Sequence, residues 1–237
     1  MLVIRCGQKD VVDDNLSIVY YTANVISDYF AENTRKQLLE ASEGRPIISV
    51  SLKPLDFGDN LWTDNERSHV NIYRQALIGA QAAETKYIAL CEDDVLYSKE
   101  HFKYRPNTGR FAYNLGAWAI YTWQDPPLFT YKGRINLNSL ICERKLFIDA
   151  MEERFAKYPD ESLVNTNLWA EPGKYERQLG VTVRETEVFY TNPPNIVFSH
   201  EDELSFMGLG TRKRLGELRA TEIPHWGRAE KIMELYK

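Results

Sequence analysis

The sequence predicts an α/β fold with a mostly parallel central sheet and helices on both of its faces. Three apolar runs typical of buried strands cover residues 16–23, 46–52 and 86–91. Two segments with helical periodicity separate these runs. The resulting β-α-β-α-β order predicts a doubly wound sheet with right-handed crossovers, in which ligands bind at the carboxyl ends of the strands.

The first strand and the first helix carry clear local signals. Residues 16–23 (LSIVYYTA) are rich in β-branched and aromatic side chains, which favour a strand covered on both faces. Ser27 or Asp28 can cap a helix that continues to about residue 43. A Gly-Arg-Pro sequence at residues 44–46 ends this helix, and the second strand follows it directly.

The second helix leads into the third strand. Pro, Gly, Asp and Asn residues predict a loop over residues 53–65. We expect a helix over residues 66–84, because apolar residues recur there at three- and four-residue steps. These residues are Val70, Tyr73, Leu77, Ala80 and Ala83. The strand at residues 86–91 (KYIALC) ends directly at three acidic residues.

The back half has a less regular pattern. We expect two strands, an amphipathic helix, a short helix and a third strand, at residues 111–123, 134–142, 144–157, 175–179 and 180–187. The tail from residue 201 onward is predicted to be polar and helical, with a basic cluster at Arg212, Lys213 and Arg214. Because no linker or repeat interrupts the chain, one domain over residues 1–237 is the simplest interpretation.

Composition and charge argue against several classes of protein. The net charge of −5 and the pI near 5.5 do not suit a surface that is basic throughout, as in a general nucleic-acid binder. No run approaches the roughly 18–20 apolar residues of a membrane span, and the N-terminus lacks a signal-peptide pattern. Cys6, Cys91 and Cys142 are widely spaced and odd in number, which favours a reducing compartment. We therefore expect a cytoplasmic protein.

The acidic triplet Glu92-Asp93-Asp94 is the main candidate for chemistry. Adjacent carboxylates repel one another, and a bound Mg²⁺ or Mn²⁺ would offset that repulsion while keeping coordination positions open for phosphate. The alternative is a solvated acidic loop that caps the next helix. Thr22 and Asn24 end the first strand at the same predicted sheet edge, where they contact a ligand or form an ordinary turn.

A family resemblance lies in the segments NIYR (71–74), ALIGA (76–80) and KYIALCEDDV (86–95). Together they resemble the core of family-2-like, GT-A-fold glycosyltransferases, in which an Ala/Gly-rich helix bearing Asn and Arg leads into a hydrophobic strand and a DxD motif. The resemblance extends over about residues 16–102. It implies a GT-A-like, Rossmann-type sandwich, a nucleotide-sugar donor such as a UDP- or GDP-sugar, and Mn²⁺ or Mg²⁺ as the cofactor.

The resemblance also implies roles for individual residues. Asp94 is the metal ligand, Asp93 lies beside the ribose or the donor sugar, and Thr22 and Asn24 fall where the family contacts the nucleotide base. Glu92 departs from the aspartate of the family motif, which leaves open whether it contacts the sugar, the metal or neither.

By this resemblance the chain has a nucleotide-sugar-binding half and an acceptor-binding half, followed by the tail. About residues 14–100 would bind the nucleotide-sugar, about residues 101–200 would bind the acceptor, and about residues 201–237 would form the polar helical tail.

Arg74 and His200 are two further binding candidates. An arginine beside the buried face of the second helix can reach a phosphate or the acidic triplet, or it can be an ordinary surface residue. His200 follows an apolar run, and GT-A enzymes often supply a late histidine as a metal ligand. The alternative for His200 is a capping or hydrogen-bonded core histidine.

An inverting transfer needs a carboxylate that deprotonates the acceptor hydroxyl. The segment WAEPGKYERQLG (169–180) resembles the family's acidic motif followed by arginine, leucine and glycine. By that resemblance Glu171 is the first candidate for the catalytic base and Glu176 is the second. Either residue could instead be a surface glutamate.

Two other functions stay open. A sugar-phosphate nucleotidyltransferase would share the sheet order and the acidic metal site, but residues 22–28 lack its Gly-rich basic loop. A non-enzymatic nucleic-acid- or protein-binding module would use the tail, where residues 205–237 hold seven Lys or Arg against four Glu. This basic excess also suits an enzyme that acts on a nucleic-acid acceptor, so the acceptor is left open.

Overall fold

The structure is a computed structural model that describes residues 15–163, 165, 168–202 and 216–237. The described chain forms the α/β sandwich that the sequence predicts. Its helices are Asp28–Ser42 (α1), His69–Ala82 (α2), Arg144–Lys157 (α3), Glu176–Leu179 (α4) and Ala229–Met233 (α5). None of the described helices is long and apolar enough to cross a membrane.

Fourteen strands are present in the described residues. They are Leu16–Thr22 (β1), Ile47–Ser51 (β2), Asp59–Trp62 (β3), Tyr87–Glu92 (β4), Val95–Leu96 (β5), Arg110–Asn114 (β6), Ala117–Tyr121 (β7), Phe129–Tyr131 (β8), Leu140–Glu143 (β9), Glu185–Phe189 (β10), Asn195–Ser199 (β11), Arg219–Ala220 (β12), Glu222–Ile223 (β13) and Gly227–Arg228 (β14). They form a seven-stranded sheet, a five-stranded sheet and a small hairpin.

The seven-stranded sheet has the order β10-β6-β9-β4-β1-β2-β3. Strands β4, β1, β2 and β3 are parallel, whereas β9 runs antiparallel to both of its neighbours. Every residue of β1 is buried, as expected for an apolar run between two covered faces. Val19 packs on the side of α2 and α3, and Ile18 packs on the side of α1. The predicted helices on both faces are therefore confirmed.

The five-stranded sheet has the order β12-β8-β7-β11-β5. Only two residues separate the end of β4 from the edge strand β5 of this sheet, so the chain passes from one sheet to the other at Asp93 and Asp94. Val95 pairs with Val197 in β11, and the backbone N–H of Phe198 donates to the Asp94 carbonyl oxygen at 2.8 Å. The acidic triplet therefore lies where the two sheets meet.

Two predicted elements of the front half differ from the structure. Residues 53–65 are not a loop throughout, because β3 pairs with β2 at the sheet edge. The second helix begins at His69 rather than at residue 66, because the Ser68 hydroxyl caps it by accepting from the Asn71 N–H at 3.0 Å. Ser27 caps α1 in the predicted way, accepting from the Phe30 N–H at 3.3 Å.

The back half required more correction. The single strand predicted over residues 111–123 is wrong, because the chain turns at Leu115 and Gly116 and places β6 and β7 in different sheets. A side chain at Gly116 would collide with the Thr191 backbone. The strand predicted at 134–142 begins only at Leu140, after a 3-10 turn, and the one predicted at 180–187 begins only at Glu185.

The predicted helical tail is also wrong for the part that the structure describes. Residues 216–228 carry β12, β13 and β14, and α5 has only five residues. Strand β12 pairs with β8, which adds this segment to the second sheet. The basic cluster at Arg212, Lys213 and Arg214 lies outside the described residues.

His101 lies in the core, and its burial predicts that it makes the folded protein less stable at acid pH. Its Nδ1 accepts from the side-chain amides of Asn114 and Asn195 at 3.1 and 3.3 Å, and burial lowers its pKa to about 3. The unfolded chain therefore binds a proton near pH 6.5 that the folded protein does not bind. We expect the free energy of unfolding to fall by about 1.4 kcal/mol per pH unit from this residue below pH 6.

Urea unfolding between pH 4 and pH 7 checks this expectation. His101→Gln should show a shallower decline than the unsubstituted protein, whatever its absolute stability. The same substitution at the exposed His225 is the control and should leave the pH dependence of the unsubstituted protein unchanged. Parallel curves for the unsubstituted protein and His101→Gln would contradict the assignment.

Candidate active site between the two sheets

A cavity of about 290 Å³ opens where the carboxyl ends of β1 and β4 face the second sheet. Its walls come from the first sheet, the start of α2, the second sheet and the segment before β9. Among the residues that line it are Thr22, Asn71, Glu92, Asp93, Asp94, Tyr121, Lys132, Arg134, Asn138, Glu171, Ser199 and His200. Six of the nine site residues predicted from the sequence line this cavity. Thr22, the acidic triplet and His200 lie at this edge, and Glu171 reaches the cavity from the chain after α3.

Glu92 is held by hydrogen bonds to both of its carboxylate oxygens. The Tyr21 hydroxyl donates to Oε1 at 3.0 Å, and the Asn138 side-chain amide donates to Oε2 at 2.7 Å. The Tyr97 hydroxyl fixes the strand end, since it accepts from the Glu92 N–H at 3.0 Å and donates to the Asn138 carbonyl at 3.1 Å. Glu92 is therefore a fixed part of the cavity wall.

Asp93 is held in a similar way by the first strand. The Thr22 hydroxyl donates a short hydrogen bond to Asp93 Oδ2. Thr22 in turn accepts from the Asn24 N–H at 2.9 Å, which fixes its orientation. The ends of β1 and β4 are thus linked through their side chains at the mouth of the cavity.

Glu92 and Asp93 bind protons unusually tightly. Burial, followed by repulsion from Asp94, raises the pKa of Glu92 to about 8, although the hydrogen bonds from Asn138 and Tyr21 lower it. The same two causes raise the pKa of Asp93 to about 6, against the hydrogen bond from Thr22. The folded protein therefore favours positive charge here, in the form of protons or of a cation.

Asp94 differs from its two neighbours. It is only 8% exposed, and its Oδ1 has no hydrogen-bond partner among the described residues. His200 Nε2 lies 3.7 Å from its Oδ2. A buried carboxylate oxygen without a partner is costly unless a cation or a donor occupies the adjacent space. Asp94 and His200 therefore fit one side of a site for a hard divalent cation.

The protein supplies only part of such a metal site. Within the described residues, no group of three His, Cys, Asp or Glu side chains is arranged to hold a metal ion. Mg²⁺ in particular keeps several water molecules and is commonly bound by one or two carboxylates together with substrate phosphates. The residues present fit that kind of shared coordination.

Asn24 and Arg74 do not line the cavity. Asn24 has a left-handed backbone, with φ of 53°, and its Oδ1 accepts from the N–H groups of Leu52 and Lys53 at 2.9 and 3.0 Å. It thus holds the ends of β1 and β2 together. The Arg74 guanidinium lies 4.9 Å from the centre of the Phe155 ring, on the side of α3.

The two catalytic candidates occupy different environments. Glu171 lines the cavity, its side chain is 15% exposed, and Lys174 Nζ lies 3.3 Å from its Oε2. Glu176 is buried outside the cavity lining, and its Oε1 accepts from Arg154 Nη2 at 3.1 Å and from the Gly173 N–H. Only Glu171 therefore faces the space in which a substrate can bind.

Several residues of the site were not predicted from the sequence. Tyr21 and Asn138 position Glu92, and Lys132, Arg134 and Ser199 line the opposite wall. Tyr21 lies in a predicted strand whose apolar pattern gave no sign of a role for its hydroxyl. Arg134 and Asn138 lie in the strand predicted at 134–142, which begins only at Leu140. Cys91 and Cys142 are free, buried thiols, and Cys6 lies outside the described residues.

Comparison with known proteins finds similarity to solved structures but not to family models or curated sequences. No protein-family model and no curated protein sequence matches the chain. A crystal structure of a glycosyltransferase involved in glycosylation of the major capsid of PBCV-1 is 12% identical, with a TM-score of 0.43, and the match covers 77% of this chain and 91% of that one.

Two further solved structures resemble the chain at a similar level. Bifunctional IspDF from Campylobacter jejuni is 10% identical, with a TM-score of 0.39, and the match covers 75% of this chain and 50% of that one. S. aureus TarS is also 10% identical, with a TM-score of 0.38, and the match covers 78% of this chain and 60% of that one. The chain thus spans only about half to three fifths of these two. At this level of similarity none of the three assigns a function to the chain.

The environments of Glu171 and Glu176 predict different effects on stability. Glu176→Ala leaves Arg154 buried without its partner, which typically costs about 3–5 kcal/mol. Glu171→Ala removes a partly exposed ion pair, which is worth about 0–1 kcal/mol. Urea unfolding of both variants measures the difference. Equal losses of stability would show that Arg154 does not depend on Glu176.

Proposed function

We propose that the chain is a metal-dependent glycosyltransferase, which moves a sugar from a nucleoside-diphosphate sugar to an acceptor hydroxyl with inversion. The observation that carries the proposal is the Asp94 Oδ1, which is buried at the edge of a cavity, just after a parallel strand, and has no hydrogen-bond partner among the described residues. The motif resemblance of residues 71–95 supports the same assignment.

Asp94 is the proposed metal ligand, with His200 beside it. A bound Mn²⁺ or Mg²⁺ would supply Lewis-acid stabilisation of the departing diphosphate. Glu92 and Asp93 are restrained by Tyr21, Asn138 and Thr22, so the strand end keeps its shape when the substrate binds. A rigid site of this kind needs little reorganisation during the reaction.

Asp93 and Thr22 form the proposed contact with the sugar portion of the donor. The short hydrogen bond from Thr22 occupies one carboxylate oxygen of Asp93 and leaves the other for a ribose or sugar hydroxyl. Asn24 supports this contact indirectly, because it orients Thr22 and joins the ends of β1 and β2. Its proposed role is therefore positioning rather than direct contact with the base.

Glu171 is the proposed catalytic base. Its carboxylate accepts the proton of the acceptor hydroxyl as that oxygen forms a bond to the anomeric carbon, and the bond from that carbon to the diphosphate breaks. Lys174 Nζ lies 3.3 Å from one oxygen of this carboxylate. Glu176 is already engaged by Arg154 and the Gly173 N–H, so the role of base falls to Glu171.

Nucleotide-dependent thermal stabilisation tests the proposal. We expect UDP- or GDP-sugars to raise the melting temperature in the presence of Mn²⁺, because a ligand at a hundred times its Kd adds about 2.7 kcal/mol to stability. Asp94→Asn should abolish the Mn²⁺-dependent part of this rise. Asp149→Asn, an exposed aspartate on α3, is the matched control and should keep the full effect.

Two results would contradict the proposal. The first is an equal response of Asp94→Asn and the unsubstituted protein to every nucleotide-sugar. The second is release of pyrophosphate from a nucleoside triphosphate and a sugar 1-phosphate, which would identify a nucleotidyltransferase instead.

Substitution of the proposed base gives a kinetic prediction. With a donor and an acceptor identified, Glu171→Gln should lower kcat for transfer by about 10²–10⁴-fold, which is the usual contribution of general base catalysis. The affinity for the donor should stay unchanged, because the proposed donor contacts come from Thr22, Asp93 and Asp94 rather than from Glu171. A variant with an unchanged kcat would exclude Glu171 as the base.

A further inference from the structure

Two cations in the turn after β8 line the wall of the cavity that faces away from α2. These are Lys132 and Arg134. The Lys132 N–H donates to the Ala117 carbonyl at 3.1 Å, and the Arg134 N–H donates to the Lys132 carbonyl at 2.6 Å, so the backbone of the turn is fixed. A side chain at the intervening Gly133 would collide with the Tyr131 ring, which packs over the turn.

A chain of contacts connects this turn to Asp94. Lys132 Nζ lies 5.3 Å from the centre of the Tyr121 ring, and Tyr121 pairs in register with Ser199. Ser199 immediately precedes His200, whose Nε2 lies 3.7 Å from Asp94. A group bound near Asp94 is therefore close to the surface that Lys132 covers.

Ser199 contributes an unused polar atom to the same wall. The residue is 3% exposed and lines the cavity, and its hydroxyl has no hydrogen-bond partner in the part of the chain that the structure describes. Buried hydroxyl groups are normally hydrogen-bonded. This hydroxyl is positioned to donate to an acceptor oxygen of a ligand.

The charge balance of the cavity indicates which ligand fits. Four carboxyl groups line it, from Glu92, Asp93, Asp94 and Glu171, and those that are ionised repel an anion. Lys132 and Arg134 offset that repulsion on the wall of the second sheet, and Arg67 adds a third cation beside the start of α2. A lysine, an arginine and a serine hydroxyl together match the oxygens of a phosphate group, which accepts charge-assisted hydrogen bonds.

We propose that Lys132, Arg134 and Ser199 form a phosphate-binding site on the cavity wall that the second sheet provides. The phosphate belongs either to the diphosphate of the donor or to a phosphorylated acceptor. The inference rests on the proposed function for the identity of the donor, whereas the phosphate site itself is argued from the cavity wall.

Calorimetric titration of the full chain tests the site. The probes are UDP and GDP with Mn²⁺, inorganic pyrophosphate, and glucose 6-phosphate as a phosphorylated sugar. Lys132→Gln and Arg134→Gln should each weaken phosphate binding by about tenfold or more, as expected for loss of a charge-assisted hydrogen bond. Lys145→Gln is the control, since Lys145 is 83% exposed on α3. Melting temperatures establish that each variant is folded.

The probes separate the two sources of phosphate. Weaker binding of UDP or GDP in both variants assigns the site to the donor diphosphate. Weaker binding of glucose 6-phosphate, with nucleotide binding unchanged, assigns it to the acceptor.

The same titrations distinguish failure of this inference from failure of the proposed function. If UDP or GDP binds with Mn²⁺ equally well to all variants and no other probe binds, the phosphate site is overturned and the proposed function stands. If pyrophosphate binding depends on Lys132 and neither nucleotide binds, the phosphate site stands and the proposed function fails. If none of the probes binds the unsubstituted protein, both are overturned.

Discussion

Burial of three consecutive carboxylates at the passage from β4 to β5 is the constraint around which this fold is arranged. The triplet lies where the chain leaves one sheet and enters another, so it cannot move into solvent without breaking the pairing of β5 with β11. Repulsion among buried carboxylates is costly. The surroundings offset that cost with donors from β1 and from the segment before β9, and they raise the pKa values of Glu92 and Asp93.

The three carboxylates are not equivalent, and the differences among them suggest a division of labour. Both oxygens of Glu92 accept hydrogen bonds, and one oxygen of Asp93 is taken by Thr22. Asp94 Oδ1 alone in the triplet is buried without a hydrogen-bond partner among the described residues. Hydrogen bonds to Glu92 and Asp93 thus fix the strand end, whereas Asp94 keeps one oxygen for a ligand in the cavity. Lys132 and Arg134 bring the opposite charge to the facing wall.

The sequence was most informative where local patterns and tertiary structure agree. The order β1-α1-β2-α2-β4 follows from apolar runs, helical periodicity and the Ser27 cap, all of which are local signals. The strand-like run at residues 111–123 gives no local sign of the change of sheet at Gly116. The glycine is needed there because a side chain would collide with the Thr191 backbone. Similarly, Glu171 and Glu176 lie five residues apart in one motif. Their environments differ because Glu176 forms an ion pair with the buried Arg154.

Anomalous scattering at the manganese absorption edge, from crystals grown with Mn²⁺ and UDP or GDP, tests the central claim most directly. The account predicts a single strong peak in the cavity, within bonding distance of an Asp94 carboxylate oxygen and of a diphosphate oxygen. A nucleotide bound in the cavity with no manganese at Asp94, or manganese bound at a different place on the chain, would contradict it.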